Sequence, residues 1–385
     1  MDDVFIVSAC RTAVGKAKKG TLRYTRPDDM AAAVISEAVA RSTVPPERIG
    51  EVIMGCAFPE AAQGMNIARI AGMAAGLPDT VSAMTINRFC ASGIEAIALA
   101  AARIQTGMYD VAVAGGVESM SLVPMGGCRF SPNPRLTKEK PQVYTAMGNC
   151  GDNVARTFNI TRESMDEWAY ESHQRAVKAI QQGAFKDQIV PLDVTLDGRV
   201  VRFDTDEGPR PDTSIEALSK LPPAFAASPK LGFCTAGNSS QTSDGAAAVC
   251  LMSAKAVKEI GVQPLALFRS YRVAAGDPSL LGPAQLVAIP AACEAAGISV
   301  EELDLIENNE AFASQCLYVM REMHFDPKKV NVNGGAIALG HPLGCTGAKL
   351  SVQMVYELNA RQARYGLVTL CVGGGMGVAG VFERP

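Results

Sequence analysis

Short apolar or β-rich runs alternate with helical patterns along the first 118 residues of the chain. Apolar residues that recur three and four positions apart predict amphipathic helices, and the short apolar runs predict buried strands. The predicted strands are Val4–Ser8, Glu51–Met54, Val81–Ile86 and Asp110–Ala114. The predicted helices are Asp28–Ala40, Asn66–Ala75 and Ala91–Thr106, the last ended by Gly107 because glycine readily adopts the conformation of a helix C-terminus.

A similar alternation returns in the region from residue 263 onward. The predicted strands there are Leu265–Val273, Leu303–Glu307, Val330–Val332 and Gly366–Val372. The predicted helices are Ala284–Ala295, Glu310–Glu322 and Thr346–Asn359. The two halves present the same order, and Cys90 and His341 each fall just before the third helix of their half. The sequence therefore predicts an α/β fold of two similar units whose sheets are buried by helices.

The segment 119–243 breaks this rhythm. Met120–Thr145 has no clean period, a helical pattern covers Arg162–Gln182, and a polar strand-like piece at Ile189–Phe203 precedes a turn-forming run at Asp206–Asp212. A long insertion between regular units commonly forms a lid or a ligand-binding excursion. We predict an N-terminal unit of residues 1–118 plus 244–262, a loop domain of 119–243 and a C-terminal unit of 263–385.

Composition limits the classes of function. A chain of 385 residues with 48% hydrophobic and 19% charged residues is long enough for two core-forming units. A net charge of −3 argues against general nucleic-acid binding, and no apolar run reaches the length of a membrane span. Eleven scattered cysteines without a Cys-x-x-Cys pair indicate reduced thiols, and three dispersed histidines do not suggest a metal site. We expect a cytoplasmic protein.

Cys90 lies in the turn Asn87–Gly93, directly before a strongly patterned helix. The dipole and free amides of a helix N-terminus favour a thiolate, so we expect the pKa of Cys90 to lie well below about 8.5. A thiolate attacks a thioester carbonyl and also leaves from one readily. The alternative is a buried structural cysteine, as expected for most of the other ten cysteines.

His341 lies in Gly334–Ala348, a glycine-rich turn that leads into a helix. Glycines there allow the backbone to approach a ligand closely, and the imidazole could accept the proton of the Cys90 thiol. The alternative is a structural histidine bonded to a backbone carbonyl. His173 and His324 fit that structural alternative better.

Cys371 follows a predicted strand and precedes three consecutive glycines that begin at Gly373. A cysteine there could move a proton to or from a substrate carbon, and the bare amides could stabilise an oxyanion. The spacing excludes a dinucleotide-binding loop. Asn309, which follows the predicted strand Leu303–Glu307, could cap the next helix or hold a water that donates to a carbonyl oxygen.

These segments together resemble the thiolase family, specifically its 3-ketoacyl-CoA thiolase and acetyl-CoA acetyltransferase group. The resemblance runs along the whole chain. Four blocks match in order: the Cys90 turn, Asn309–Phe312, Gly340–Pro342 with its glycines, and Cys371–Gly373. It implies a layered αβαβα fold of two similar units plus a loop domain that binds coenzyme A (CoA).

The resemblance implies a role for each residue of these blocks. Cys90 would carry the acyl group, and His341 would activate it and polarise the substrate thioester oxygen with a water held by Asn309. Cys371 would be the acid–base at the α-carbon. The backbone amides of Cys90 and Gly373 would form a second oxyanion hole. The implied reaction is thiolytic cleavage of a 3-ketoacyl-CoA by CoA, or the reverse condensation, with CoA as a substrate and with no metal or organic cofactor.

The resemblance also implies binding residues and partners. Arg210 matches an arginine near the nucleotide end of CoA. Positions that match the adenine, pantetheine or acyl tract are Met147, Phe225, Ala236, Ser240, Ala311 and Phe312. The stretch Gly115–Ser121 matches a further family stretch. A homodimer or homotetramer is expected, with a hydratase–dehydrogenase as a further candidate partner.

Alternatives remain at this point. The connection Leu122–Ala146 is shorter than in biosynthetic acetoacetyl-CoA thiolases, which favours the degradative reaction of β-oxidation over condensation of two acetyl-CoA. Pro278–Ala284 departs from the family's usual Met-Gly-x-Gly-Pro, which leaves the preferred acyl length open. A ketoacyl synthase would normally carry histidines where Asn309 and Cys371 stand. A cysteine hydrolase and a non-catalytic acyl-CoA-binding protein are alternatives of other classes.

Overall fold

The computed structural model describes residues 3–226 and 232–385. The strands are β1 (Val4–Thr12), β2 (Gly15–Lys16), β3 (Glu51–Gly55), β4 (Ser82–Ile86), β5 (Val111–Ser119), β6 (Ile189–Val190), β7 (Leu192–Leu196), β8 (Arg199–Phe203), β9 (Ser243–Ser253), β10 (Ala266–Ala275), β11 (Leu305–Asn308), β12 (Tyr365–Val372) and β13 (Met376–Glu383). The α-helices are α1 (Pro27–Ser42), α2 (Ile67–Ala74), α3 (Ser92–Gln105), α4 (Pro134–Glu139), α5 (Met147–Thr157), α6 (Arg162–Gln181), α7 (Ile215–Ser219), α8 (Ala254–Ile260), α9 (Pro283–Ala296), α10 (Ala313–Glu322), α11 (Ala336–Leu339) and α12 (Leu343–Ala360).

The main sheet joins two halves through β1. One half has the order β4-β3-β5-β9-β1, and the other continues as β10-β13-β12-β11. Strand β1 pairs antiparallel with β9 over most of its length and with β10 only at Phe5 and Ile6. The outer strands β3, β4 and β5 are parallel to one another, as are β11 and β12. Parallel neighbours need crossover connections, which the helices supply.

Alternate residues of the strands face different helices, which builds the layers. In β5, Val113 packs in a buried cluster with α1 and α2, whereas Ala114 packs in a second cluster with α3 and α12. In β12, Leu370 joins that second cluster, and Cys371 joins a third with α9 and α10. Helices α3 and α12 contact each other between the two half-sheets. The predicted α/β fold of two similar units in αβαβα layers is thereby confirmed.

The middle of the chain folds as an excursion over this scaffold. It contains α4 to α7, the strand pair β7–β8 and an irregular stretch at Asp206–Asp212, where the sequence predicts a turn-forming run. The guanidinium of Arg11 in β1 donates to both carboxylate oxygens of Asp206 at 2.8 Å, and both side chains are buried. A bidentate pair of this kind fixes the excursion to the sheet. The three predicted domain boundaries stay predictions.

Besides the short elements β2, α4, α7, α8 and α11, three longer elements were not predicted, and one predicted strand is wrong. Val330–Val332 is not a strand, since only Val330 forms a single bridge with Ile306. Strands β9 and β13 were missed because alanine, glycine and cysteine carry little β-propensity, although their neighbours on both sides hold them in the sheet. Helix α5 was missed because of its glycines. A Cβ at Gly148 would lie 2.1 Å from the Phe225 ring, so close ring packing requires glycine there.

In the described part of the chain, no helix has both the length and the apolar character needed to cross a membrane.

Candidate active site

Cys90 lies in a tight turn between β4 and α3. The turn is a single 3₁₀ element, Phe89–Ala91, and α3 begins at Ser92. The Asn87 Oδ1 atom accepts the Phe89 N–H at 2.8 Å, and the Ser92 hydroxyl accepts the Arg88 N–H at 2.8 Å while donating to the Phe89 carbonyl at 2.7 Å. Phe89 has a φ of +44°, which is strained for a bulky residue. The result is a buried thiol at the start of α3, as predicted.

His341 lies in the turn between α11 and α12. Its backbone N–H donates to the Gln241 carbonyl at 3.0 Å and to the Ser243 hydroxyl at 3.1 Å. The preceding Gly340 has a φ of +88°, and a Cβ on it would lie 2.4 Å from the Ser243 hydroxyl oxygen. This position therefore needs glycine both for conformation and for space.

The hydrogen bonds of His341 determine its tautomer. The Nδ1 atom lies 2.6 Å from the Thr346 hydroxyl oxygen, and that hydroxyl donates to the Pro342 carbonyl at 2.9 Å. Because its proton is used there, the hydroxyl oxygen accepts from Nδ1–H, and Nε2 keeps its lone pair. The Asn309 amide nitrogen lies 3.4 Å from Nε2 and donates to it over this long distance. The Nε2 atom is thus the proton acceptor of the ring.

The charge state of His341 follows from its surroundings. Burial, with a smaller contribution from the Lys349 cation, lowers the pKa of His341 to about 3. The imidazole is therefore neutral at physiological pH and able to take up a proton. His173 is also buried, and its pKa is lowered to about 4 by burial and by the Arg210 cation. Its Nδ1 atom accepts the Arg210 backbone N–H at 3.1 Å, a structural role.

The pKa of Cys90 was wrongly predicted. Burial raises it to about 12, although the backbone N–H groups of Cys90 itself and of Gly373 donate toward the sulfur and act in the opposite direction. Removal of the thiolate from water outweighs the helix N-terminus, and the Glu118 carboxylate adds to the rise. Cys90 is therefore a thiol in the free protein. It needs a base at the moment of attack.

Cys371 is the penultimate residue of β12 and lies near Cys90. Burial raises its pKa well above the ordinary value, and negative charge at Cys90 raises it further. The side chain is therefore a thiol that holds its proton firmly until a stronger base, such as a carbanion, develops next to it. The chain then turns through Gly373–Gly375 into β13.

These groups open onto one cavity of about 120 Å³. Nine of the twelve predicted site residues line it: Cys90, Met147, Phe225, Ser240, Ala311, Phe312, His341, Cys371 and Gly373. Asn309 does not line it but reaches it through His341, and its buried Oδ1 atom has no hydrogen-bond partner among the described residues. Arg210 and Ala236 are exposed and lie outside the lining.

Other residues complete the cavity wall without having been predicted. They are Met120, Met125, Gly148, Ser239, Gln241, Thr242, Leu281 and Leu343. Most are small or apolar, and such residues are common throughout any core, so nothing in the sequence separates them from ordinary packing. Three of them lie inside stretches that the sequence analysis singled out: Met120 in Gly115–Ser121, Leu281 in Pro278–Ala284 and Leu343 in Gly334–Ala348.

The layered fold, together with two thiols and a neutral imidazole on one cavity, defines a class of enzymes that transfer acyl groups. Comparison with known proteins identifies the family. A model of the thiolase N-terminal domain matches residues 4–255, and a model of the thiolase C-terminal domain matches residues 262–384. The chain belongs to the thiolase family.

Individual relatives cover the whole chain. It is 49% identical over 392 residues to the 3-ketoacyl-CoA thiolase of Bacillus subtilis (strain 168), with 100% of both chains covered. It is 42% identical to the peroxisomal 3-ketoacyl-CoA thiolase of Homo sapiens, with 100% of this chain and 91% of that protein covered. A crystal structure of Bacillus anthracis acetyl-CoA acetyltransferase matches with a TM-score of 0.92 and 42% identity, over 100% of this chain and 99% of that one.

Proposed function

We propose that this thiolase cleaves 3-ketoacyl-CoA with CoA, forming acetyl-CoA and an acyl-CoA shortened by two carbons. The observation that carries the proposal is the shared cavity of Cys90, Cys371 and His341, with both sulfurs protonated and the imidazole neutral. Full-length relatives named 3-ketoacyl-CoA thiolase at 49% and 42% identity support the choice of substrate.

In the first half-reaction, the Cys90 sulfur attacks the 3-keto carbon while its proton passes to Nε2 of His341. The backbone N–H groups of Cys90 and Gly373 stabilise the negative charge on the sulfur as its proton leaves, and the attack passes that charge to the 3-keto oxygen. The bond between C2 and C3 then breaks, and its electron pair goes to C2. Cys371 gives its proton to C2, so acetyl-CoA leaves and the remaining acyl group stays on Cys90.

The second half-reaction restores every proton. The incoming CoA thiol gives its proton to the Cys371 thiolate, and the CoA sulfur attacks the acyl carbonyl of Cys90. The shortened acyl-CoA leaves, and the Cys90 sulfur takes back the proton held by His341. The neutral resting imidazole fits this cycle, because it must accept a proton first and return it last.

The other predicted site residues would bind different parts of the substrate. Met147, Phe225, Ser240, Ala311 and Phe312 would line the pantetheine and acyl tract. Arg210 and Ala236 lie at the surface outside the cavity. This position suits the nucleotide end of CoA, since a long ligand arm reaches from the surface to the sulfur. Coenzyme A acts here as a substrate, and the proposed cycle calls on no further cofactor.

Condensation of two acetyl-CoA is the second candidate function. The Bacillus anthracis structure, named acetyl-CoA acetyltransferase, matches over the whole chain. The same residues serve both directions, so the site does not separate them. The short connection Leu122–Ala146 and the two relatives given above, both named 3-ketoacyl-CoA thiolase, favour cleavage.

Intact-protein mass spectrometry after a brief incubation with acetoacetyl-CoA, or with a longer 3-ketoacyl-CoA, tests the proposal. We expect a covalent acyl group on Cys90 that free CoA removes, and no such adduct in Cys90→Ala. Loss of the adduct to water at the same rate with and without CoA would indicate a cysteine hydrolase. Binding without any adduct would indicate a non-catalytic acyl-CoA-binding protein. An adduct on another cysteine would remove Cys90 from its assigned role.

We also propose that the chain forms a homodimer or homotetramer. Strand β4 ends the sheet, and no described strand pairs with its outer edge. Exposed apolar side chains lie close by in sequence at Met65, Ile70 and Met73. Sedimentation equilibrium tests this, and a monomer at micromolar concentration would contradict it. A cytoplasmic location and a hydratase–dehydrogenase partner stay predictions.

A further inference from the structure

We propose that Glu118 and Glu310 are positioning residues that hold the His341 turn from its two sides. This inference rests on the proposed role of His341 as the base. Glu118 belongs to the Gly115–Ser121 stretch, for which the reaction gives no role. Glu310 follows Asn309 but does not line the cavity. Both carboxylates are buried, with relative exposures of 0%.

Glu118 reaches the turn from the N-terminal half of the chain. One of its oxygens accepts the backbone N–H of Gly344 at 2.8 Å, three residues after His341, and that of Ala57 at 2.8 Å. The other accepts the Phe58 N–H at 3.3 Å and the Gln63 amide at 2.8 Å. The carboxylate therefore fastens the first turn of α12 to the loop after β3, beside the cluster that contains Cys90.

Glu310 reaches the turn from the C-terminal half. One of its oxygens accepts the backbone N–H of Ile337, four residues before His341, at 3.2 Å and the Ser172 hydroxyl at 2.7 Å. The other accepts the Trp168 ring N–H at 3.1 Å and the Asn331 amide at 2.9 Å. The arrangement resembles that of Glu118, to which the Cys56 thiol also donates at 3.8 Å: each oxygen takes at least two donors, and one donor of each carboxylate belongs to the His341 segment.

Two glycines of the turn leave room for these carboxylates. A Cβ at Gly335 would lie 2.1 to 2.4 Å from the three carboxyl atoms of Glu310. A Cβ at Gly344 would lie 2.7 Å from a carboxylate oxygen of Glu118 and equally close to the Cys56 backbone. The glycine content of Gly334–Ala348 is thus explained in part by the two glutamates and not by a ligand.

The hydrogen bonds also identify the charge state. Every partner of the two carboxyl groups donates to them, through an N–H, an O–H or, at Cys56, an S–H, so both groups act as acceptors only and are carboxylates. Burial raises the pKa of each, and the donors act against that rise. Charge-assisted hydrogen bonds are about twice as strong as neutral ones, so each side of the turn is held more firmly than an ordinary loop.

A change of Glu to Gln tests the proposal, because it keeps the size of the side chain and replaces an acceptor oxygen by a donor. For Glu118→Gln and for Glu310→Gln we expect kcat to fall about tenfold, since a small misplacement of a catalytic group has large kinetic cost. The KM for the ketoacyl substrate should change less than about twofold, because the cavity wall is untouched. A fall in thermal stability alone, with kcat unchanged, would overturn the proposal.

The matched control is Asp304→Asn. The Asp304 carboxylate also accepts two backbone N–H groups, from Arg364 at 2.8 Å and Tyr365 at 3.0 Å, but it holds no part of the His341 turn. We expect it to lose stability with kcat unchanged. Equal kinetic losses in all three variants would mean that any such carboxylate produces the effect, and the assignment would fall.

A second readout does not depend on turnover. His341 should assist alkylation of Cys90 by iodoacetamide, which peptide mapping distinguishes from alkylation of Cys371. In Glu310→Gln we expect that rate to fall about threefold to tenfold, toward the rate of His341→Asn. Glu310 suits this assay better, because Glu118 also raises the pKa of Cys90 and its loss would favour alkylation. An unchanged rate in Glu310→Gln would contradict the proposal, even if the natural protein cleaved no ketoacyl-CoA.

If the glutamate variants do not fold, variants of the residues that donate hydrogen bonds to the two glutamates can be tested instead. Ser172→Ala removes one donor to Glu310 and one acceptor for the Gly335 N–H, which lie 2.7 and 3.0 Å from the Ser172 oxygen. Gln63→Ala removes one donor to Glu118. Both keep the carboxylates, so we expect kcat to fall about twofold to fivefold at constant KM. Natural kcat in both variants would reject the proposal.

Discussion

The starts of α3 and α12 occupy the same place in the two halves of the molecule but carry different chemistry. Cys90 precedes α3, and His341 precedes α12. The two helices contact each other in the central layer, so both starts open onto one cavity. The turn of Cys90 is held by neighbours in sequence, Asn87 and Ser92. Apart from the bond between the imidazole and Thr346, the turn of His341 is held by groups more than twenty residues away.

The difference follows from what each residue must do. A nucleophilic thiol needs donating amides and a base; the local turn supplies the amide of Cys90, and Gly373 supplies the other. An imidazole needs a defined tautomer and a defined distance from a sulfur in the other half of the chain. Contacts that cross between the halves are therefore required at His341. Shared topology sets where a functional side chain emerges, and long-range hydrogen bonds set how it points.

The largest expected effect separates the two thiols. Cys371→Ala should lower carbon–carbon cleavage about a thousandfold, because proton transfer to carbon loses its acid. Acyl exchange between Cys90 and CoA should survive, since exchange protonates no carbon and neutral His341 can take the proton of the CoA thiol and return it to Cys90. Isotope exchange between labelled CoA and acyl-CoA measures the second activity. Equal loss of both activities would show that the two sulfurs act as one unit.

The loss of stability at low pH should depend on His341 and not on Cys90. The folded-state pKa of His341, about 3, lies below the ordinary value of 6.5, so the unfolded chain binds a proton first as pH falls. Stability is therefore complete above pH 6.5 and decreases below it, by about 2 kcal/mol at pH 5 for one such histidine. The change in urea midpoint between pH 7.5 and 5 should be smaller in His341→Asn and unaltered in Cys90→Ala. His173→Gln should resemble His341→Asn, and identical slopes in all variants would contradict this.

A substitution at Thr346 tests whether the tautomer of His341 matters for catalysis. Thr346→Val keeps the shape but removes the acceptor of the Nδ1 proton, so the tautomer that exposes Nε2 is no longer favoured. We expect kcat to fall about tenfold. Ser351→Ala is the control, because that hydroxyl lies on the same helix and donates to the Gly347 carbonyl without touching the imidazole. If both variants lost activity equally, the loss would come from α12 itself.

Ser92 tests the local turn, with the smallest expected effect. Ser92→Ala removes the acceptor of the Arg88 N–H and should lower the free energy of unfolding by about 1 kcal/mol. Alkylation of Cys90 should slow by about threefold. Ser253→Ala, which removes the N-cap of α8, should cost similar stability without that kinetic change. A larger kinetic effect at Ser92 than at Glu310 would show that the local turn of Cys90 matters more for reactivity than the long-range contacts of the His341 turn.

Most of the fold could be predicted from the spacing of apolar residues along the sequence. Helices α3 and α12 were predicted within three residues of their bounds, because each has an apolar stripe and a clear start signal. The central strand β9, rich in alanine, has no such signal, since it is buried on both faces and its neighbours decide its conformation. Tertiary packing likewise overrides the glycines of α5.

The site was predictable only where a residue carries chemistry of its own. Cys90, His341, Cys371 and Asn309 stood out through residue type and turn context. The pKa of Cys90 could not be predicted from the sequence, because the depth of burial is a property of the folded molecule. Glu118 could not be assigned a role from sequence, since its partners come from segments more than fifty residues away.

The placement of β1 has a consequence for biosynthesis. Its main neighbours β9 and β10 end at residues 253 and 275, so before about two-thirds of the polypeptide has emerged from the ribosome this strand can pair only at Arg11 and Thr12, with β6. Neither half of the sheet closes before then, and most of an apolar strand waits with both edges unpaired. Chaperone demand should accordingly peak late in translation, and circular permutants that bring β1 next to β9 along the chain should need less help.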